Sequence, residues 1–225
     1  MSTHSFRSKR ATIRGSIPSK KSARRMVPYA GLLKRAYIYL LEHDPSVLSY
    51  EAQPFSLSYQ VGTRIAQYTP DFRVIWKQER PRLVSCAYQA CISERSSLAQ
   101  WTAAQLWCAQ HEHDFALVTE ETLRPHHALL INLEMLAVHS FSPVPPQTYD
   151  YVIKVISSID GPFSPTELVQ RTPQLHAFQT KSLIWNLVYR GELLTDLTQP
   201  LHFHTTALIW KGTQSTPQPS PPELP

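Results

Sequence analysis

In the stretch YTPDFRVIWKQERPRLVSCAYQA, residues 68–90, Asp71 follows Thr69-Pro70 at the mouth of an apolar strand, and a second apolar strand follows a polar turn. A carboxylate so placed can hold a divalent cation against a phosphodiester, where the metal lowers the pKa of an attacking water and screens developing charge. One carboxylate is not enough, because Mg2+ sheds its hydration shell reluctantly. A lysine nearby would position or activate the water. On the second strand, the places for an acid and, two residues on, a lysine read Ser85 and Ala87. The stretch has the outline of a metal-dependent phosphodiesterase with most of its ligands missing.

The elements that must position Asp71 are readable from periodicity. From Tyr29 to Glu42, apolar residues recur at Tyr29, Leu32, Leu33, Ala36, Tyr37, Leu40 and Leu41, which predicts a helix with one buried face, ended by Asp44-Pro45. Strands are expected at 47–50, 55–60, 64–69, 72–76 and 82–87, with a hairpin turn at Val61-Gly62 and a bend at Gln53-Pro54. A helix over 93–110 follows, with Trp101 and Trp107 expected in the core, then a buried strand at 115–119 and a helix at 126–138. Cys108, His111 and His113 could be written as a metal cluster, but the packing pattern of their helix argues against it.

"SFSPVPPQ" at 140–147 reads as a proline-rich linker and the domain boundary. Beyond it, helices near 148–158, 164–171 and 174–190 precede β-prone pieces at 192–195, 201–204 and 206–210. Three helices and a small hairpin are the order of a winged helix. Its third helix presents Gln174, His176, Gln179, Lys181, Ser182 and Arg190. With no Lys or Arg in the wing segment, this domain is expected to dock protein rather than read bases. The tail, 212–225, is expected to be disordered.

With 42% hydrophobic and 17% charged residues in 225, the chain has the composition of a folded soluble protein. No apolar run is long enough to span a bilayer, so no membrane partner is expected. Cys86, Cys91 and Cys108 are few and odd in number, which suits a reducing cytosol, and a cytoplasmic location is expected.

Residues 1–25 hold Arg7, Lys9, Arg10, Arg14, Lys20, Lys21, Arg24 and Arg25 with no acid, more positive charge than the whole chain's net +5. That predicts a basic disordered arm for a polyanion, most plausibly nucleic acid. A solvated tail and an organelle transit peptide are the alternatives.

"LLKRAYIYLLEHDPSVLSYEAQPFSLSY", "YTPDFRVIW" and "FALVTEETLR" resemble TnsA, the endonuclease subunit of heteromeric cut-and-paste transposases, and "LIWNLVYRGELLTDLTQPLHFHTT" resembles its C-terminal winged-helix region. The resemblance runs from about Pro18 to Trp210. It implies an α/β (α+β) restriction-endonuclease-like domain over 26–139, the 140–147 linker, and a winged-helix domain over 148–211. It also implies a PD-(D/E)xK site with Mg2+ as cofactor, and as partners transposon-end DNA, a TnsB-like transposase and a TnsC-like AAA+ ATPase.

The departures fall on that site. The family's first-helix Glu falls at Lys34, and the second-strand acid and Lys fall at Ser85 and Ala87 around Cys86, so only Asp71 remains. An ammonium at the metal position repels a cation. A degenerate, non-cleaving subunit without a cofactor is therefore expected, in which Asp71 pairs with Lys34. Two other readings remain. One is an active Mg-dependent endonuclease that cuts 5′ strands with migrated ligands drawn from Lys77, Glu79, Arg82, Gln89, Cys91 or Glu94. The other is a winged-helix DNA-binding regulator.

Overall fold

A computed structural model of the chain describes residues 12–140, 143–201 and 207–211. The acid-free leader is structured within that range. Strand β1 (Arg14–Pro18) pairs antiparallel with β2 (Met26–Ala30), which sets Ile17 opposite Val27 and buries both. The link between them is fastened to the end of helix α1 (Leu32–His43) by Glu42. Its carboxylate accepts from the Ser19 hydroxyl at 2.5 Å, the Lys20 N–H at 3.1 Å and the Tyr50 hydroxyl at 2.8 Å.

Lys21 Nζ donates to the Leu41 carbonyl at 2.7 Å and to the Asp44 carbonyl, so it serves a helix end whose last carbonyls lack intrahelical partners. Burial pulls its ammonium below the usual lysine range, against the opposing pull of Glu42 and Asp44. The expected disordered arm is thus corrected for residues 12–25. Arg14, Lys20, Arg24 and Arg25 are exposed there, whereas Arg7, Lys9 and Arg10 lie outside the described residues. Local composition carries no sign of partners such as Glu42, which lie about twenty residues further along.

Helix α1 starts later than Tyr29, because β2 takes Tyr29 and Ala30 and Gly31 then turns at φ 103°, where a side chain would be strained. Its inner face buries Leu33, Tyr37, Ile38, Leu40 and Leu41. Lys34 stands one turn before Tyr37 and Ile38, at the rim of that face. Asp44 ends the helix, and its Oδ1 accepts from the Ser46 N–H and hydroxyl at 2.8 and 2.6 Å.

Strands β3 (Val47–Ala52), β4 (Leu57–Val61), β5 (Arg64–Tyr68), β6 (Phe72–Trp76) and β7 (Arg82–Cys86) follow. Helix α2 (Arg95–Gln110) then crosses back to β8 (Asp114–Val118), and the short α3 (Glu120–Leu123) comes after it. The central sheet runs β3-β6-β7-β8, with β7 and β8 parallel and the other pairs antiparallel. A parallel neighbour requires such a crossover. Phe72, Val74, Leu83, Val84 and Val118 are buried in this sheet, with Phe72 5.5 Å from the Tyr37 ring.

The bend at Gln53 is present, at φ 51°. Of the two tryptophans expected in the core, Trp101 is buried. Trp107 is only half-buried and stacks on His111 with ring centroids 4.1 Å apart.

The described residues divide into two compact units, the second starting at His126. It holds α4 (His127–Ser140), α5 (Pro146–Ser157), α6 (Pro165–Arg171), α7 (Ala177–Tyr189) and the antiparallel pair β9 (Leu193–Leu194) and β10 (Trp210–Lys211). Ser164 caps α6 by accepting from the Glu167 N–H at 3.1 Å.

Helix α4 differs from expectation. The proline-rich break groups it with the first domain, but the Asn186 amide donates to the His139 carbonyl at 2.9 Å and His139 meets the Ser182 hydroxyl at 3.2 Å. These contacts join α4 to α7. Of the expected linker, Ser140 closes α4 and Pro146 and Gln147 open α5, while 143–145 have no regular structure. Part of the expected wing, 202–206, and the tail from 212 lie outside the described residues. No helix among them is long and apolar enough to cross a membrane.

Candidate functional site

Asp71 lies between β5 and β6, held by its backbone on both sides. Its N–H donates to the Val84 carbonyl at 2.9 Å, and its carbonyl accepts from the Gln53 N–H at 2.9 Å. Because β6 and β7 pair with Phe72 opposite Val84, the carboxylate reaches the end of β7. There Oδ2 accepts from the Cys86 N–H at 2.7 Å. Oδ1 meets Lys34 Nζ at 2.5 Å, with Lys34 30% and Asp71 14% exposed. The ion pair expected from the sequence is present, and the amide of Cys86 is a second partner that the sequence did not disclose.

Ser85, 3% exposed, is close to the Tyr68 hydroxyl in a short hydrogen bond. Burial pushes the Tyr68 phenol up to about 12; Asp71 adds to the rise and Ser85 opposes it. Ala87 contributes its backbone, donating to the Val118 carbonyl at 3.0 Å. The Cys86 thiol is pushed up by burial and by Asp71, against Lys34, which keeps it a neutral thiol rather than a nucleophilic thiolate.

The residues present do not suit a divalent cation. One carboxylate faces the place, and an ammonium and an amide already occupy its oxygens. Among the described residues no group of three or more His, Cys, Asp and Glu stands together to hold a metal ion. The substitute ligands considered from the sequence are engaged elsewhere or exposed. Glu79 pairs with Arg82 at 3.0 Å, Arg82 also lies 4.8 Å over the Trp76 ring, and Lys77 and Glu94 are exposed. The Gln89 N–H donates to Glu120 at 2.9 Å.

The phenol of Tyr68 gives this site a pH signature. With a folded pKa above the ordinary 10, the unfolded chain loses its proton first. The resulting stability is complete below pH about 10 and disappears as pH rises toward about 12. Tyr37, raised further by burial, adds to the same loss. Denaturant melts across that range are expected to show falling stability, with a shallower fall in Tyr68→Phe. Below pH about 10 that variant is expected to cost about 1 kcal/mol for the bond to Ser85.

In the second unit, the polar residues of the third helix are largely committed. His176 caps α7, accepting from the Phe178 N–H at 3.3 Å, while Gln179 accepts from the His176 N–H at 3.4 Å. Arg190 pairs with Glu192 at 2.7 Å, Ser182 is buried against His139, Lys181 is half-buried, and Gln174 is exposed. They do not form one array of free donors.

No curated protein matches the chain. Residues 44–120, from the end of α1 to the start of α3, match the family described as TnsA-like endonuclease N terminal. That span includes Asp71, Ser85 and Ala87 and stops short of Lys34. Asp71 at the mouth of β6 and strands β3 to β8 fall inside that match, and residues 44–120 accordingly form a TnsA-like endonuclease N-terminal domain.

Proposed function

We propose that the chain is a non-cleaving TnsA-like subunit of a DNA transposition complex, a scaffold that binds DNA and joins a TnsB-like transposase to a TnsC-like AAA+ ATPase. The observation that carries the loss of cleavage is the contact of Lys34 Nζ with Asp71 Oδ1 at 2.5 Å. A fixed positive charge stands where the metal would have to be held, and it grips the one carboxylate that remains.

Contacts within the chain hold the site together. Lys34 ties α1 to the start of β6, and the Cys86 amide ties the same carboxylate to the end of β7. This supports retention of the domain as a binding surface after loss of its chemistry. The order α5, α6, α7, β9, β10 supports a winged-helix reading of the second unit. The commitment of His176, Gln179 and Arg190 within that unit favours protein docking there over base readout. Exposed Arg14, Lys20, Arg24 and Arg25 support contact between the leader and DNA phosphates.

A chain of this kind leaves the 5′ strands at the transposon ends uncut, so the complex joins only 3′ ends and yields cointegrates. The test is cleavage of transposon-end DNA in Mg2+ or Mn2+, with Asp71→Ala as control. No strand scission above that control is expected. Metal-dependent cleavage abolished by Asp71→Ala would overturn the proposal.

A further inference from the structure

The central sheet has two edges, β3 and β8, and they end differently. At β3 the link 19–25 caps part of the edge, where the Lys21 carbonyl accepts from the Tyr50 N–H at 3.3 Å. At β8 the backbone is open. Its inner side meets β7 and its approaches through Asp114, whose N–H donates to the Pro81 carbonyl at 2.9 Å, and Val118, whose carbonyl accepts from the Ala87 N–H at 3.0 Å. Alternation along the strand then turns the backbone groups of Phe115 and Leu117 to the outer side. Among the described residues no hydrogen bond reaches the N–H or carbonyl of either from beyond the sheet.

The open stretch has definite ends. The His113 N–H donates to the Cys108 carbonyl at 3.0 Å, and the Thr119 N–H donates to the Thr122 hydroxyl at 2.9 Å. Two donors and two acceptors are left between them, centred on Ala116. Residues 115–118 contain no charge and no proline, the devices that commonly blunt a sheet edge. Phe115 and Leu117 share one face of the strand and are half-buried.

We propose that β8 pairs antiparallel with β8 of a second copy of this chain, about a two-fold axis at Ala116, so that the two sheets become one. The outward residues stand one on either side of Ala116, so this symmetry brings every free donor to a free acceptor. Phe115 and the partner's Leu117 exchange two hydrogen bonds, and the symmetric pair exchanges two more. Ala116 meets its own copy in a non-hydrogen-bonded pair, where Cα atoms approach to about 4.5 Å and a small side chain fits best. On the shared face Phe115 lies beside the partner's Leu117, an aromatic–aliphatic pair formed twice. The two Asp114 carboxylates stay about 13 Å apart along the ladder, past the Debye length of about 8 Å at physiological salt. An unrelated strand would need free groups two residues apart, a small residue between them and apolar neighbours on one face. Strand β8 itself meets all three conditions. The inference stands independently of whether the chain cleaves or binds DNA.

The experiment is sedimentation of the full chain from about 1 to about 200 µM, because an edge this short buries less than a standard interface and associates weakly. The mass is expected to rise from one copy toward two. Leu117→Pro removes one outward N–H and leaves the β7 ladder intact, and is expected to weaken association at least about tenfold. Ala116→Cys tests the axis without disturbing the fold. Its Cα lies within the roughly 4.4–6.8 Å that a disulfide spans to its copy, so brief oxidation by diamide is expected to give a linked dimer that a thiol reverses. Asp114→Cys and the wild type, with Cys86, Cys91 and Cys108, are expected to stay unlinked. A chain that remains monomeric at every concentration overturns the proposal, whether another segment or a different protein fills the edge. So does the lack of an Ala116→Cys crosslink where the wild type is dimeric, since the axis then lies elsewhere.

Discussion

Lys34→Glu is expected to turn a chain indifferent to divalent ions into one that Mn2+ stabilises. In the wild type, Lys34 Nζ neutralises Asp71 at 2.5 Å, with both side chains partly screened from water. The substitution removes that partner and sets a second carboxylate against the first. Loss of a pair of this burial, together with the new repulsion, is expected to cost about 2 kcal/mol in EDTA, less than the roughly 3–5 kcal/mol typical of a fully buried pair.

A divalent cation reverses the sign of that repulsion, because two carboxylates facing each other make a short-range cage that one carboxylate and an ammonium cannot. Ligand binding confined to the folded state stabilises by about 2.7 kcal/mol at a hundredfold excess over Kd. The variant should therefore recover most of its loss in millimolar Mn2+, while the wild-type melting temperature stays unchanged. Adding Ser85→Glu and Ala87→Lys rebuilds the full pattern and is expected to bring metal-dependent nicking with it. Thermal melts with and without Mn2+ decide the first point. Stabilisation of the wild type by Mn2+ would overturn it, as would a Lys34→Glu chain that melts at the same temperature in Mn2+ and EDTA.

The Lys34–Asp71 pairing behind this expectation is legible in the amino-acid sequence, because two complementary charges stand at positions where the resemblance to TnsA implies two carboxylates. The rest of Asp71's shell is not legible there. The Cys86 amide reaches Oδ2 only because the β6–β7 register sets Phe72 opposite Val84, and register is a long-range property. The same division runs through the fold.

Helix α1 and strands β6 and β7 are readable because each has its own apolar period. Strand β1, Arg-Gly-Ser-Ile-Pro, has a single large apolar residue and by composition belongs to a basic arm. It is a strand because Ile17 finds Val27 and because Ser19 and Lys21 find the end of α1. The polar residues of α7 mislead in the opposite direction. His176 and Gln179 have the spacing of groove-facing side chains, and that spacing also makes a helix cap.

Helix α4, which the proline-rich break assigns to the wrong unit, yields the second large effect, at Asn132. An Asn in the middle of "HALLINLEMLAVHS" breaks an apolar run, and in the structure it is only 1% exposed. Its amide donates to the carbonyls of Leu197 at 2.9 Å and Gln199 at 2.7 Å, and its oxygen accepts from the Leu201 N–H at 3.1 Å. One side chain thus satisfies three backbone groups of a segment with no regular pairing of its own.

Asn132→Ala leaves them without partners, and at about 1 kcal/mol for each bond the expected loss is about 3 kcal/mol by denaturant unfolding. Asn132→Asp is expected to cost more than the alanine, since a buried carboxylate would face two carbonyls and donate to neither. Hydrogen exchange should show the Leu201 amide losing its protection in Asn132→Ala, whereas Asn132→Asp keeps an oxygen that can accept from it. A loss under about 0.5 kcal/mol in Asn132→Ala, the range of an ordinary surface change, would show that this segment is held by something else. If the loss is as large as argued, the apolar stripe of α4 is the lesser reason for its place in the second unit. The greater is one buried amide matched to three backbone groups, which no hydrophobic period can signal.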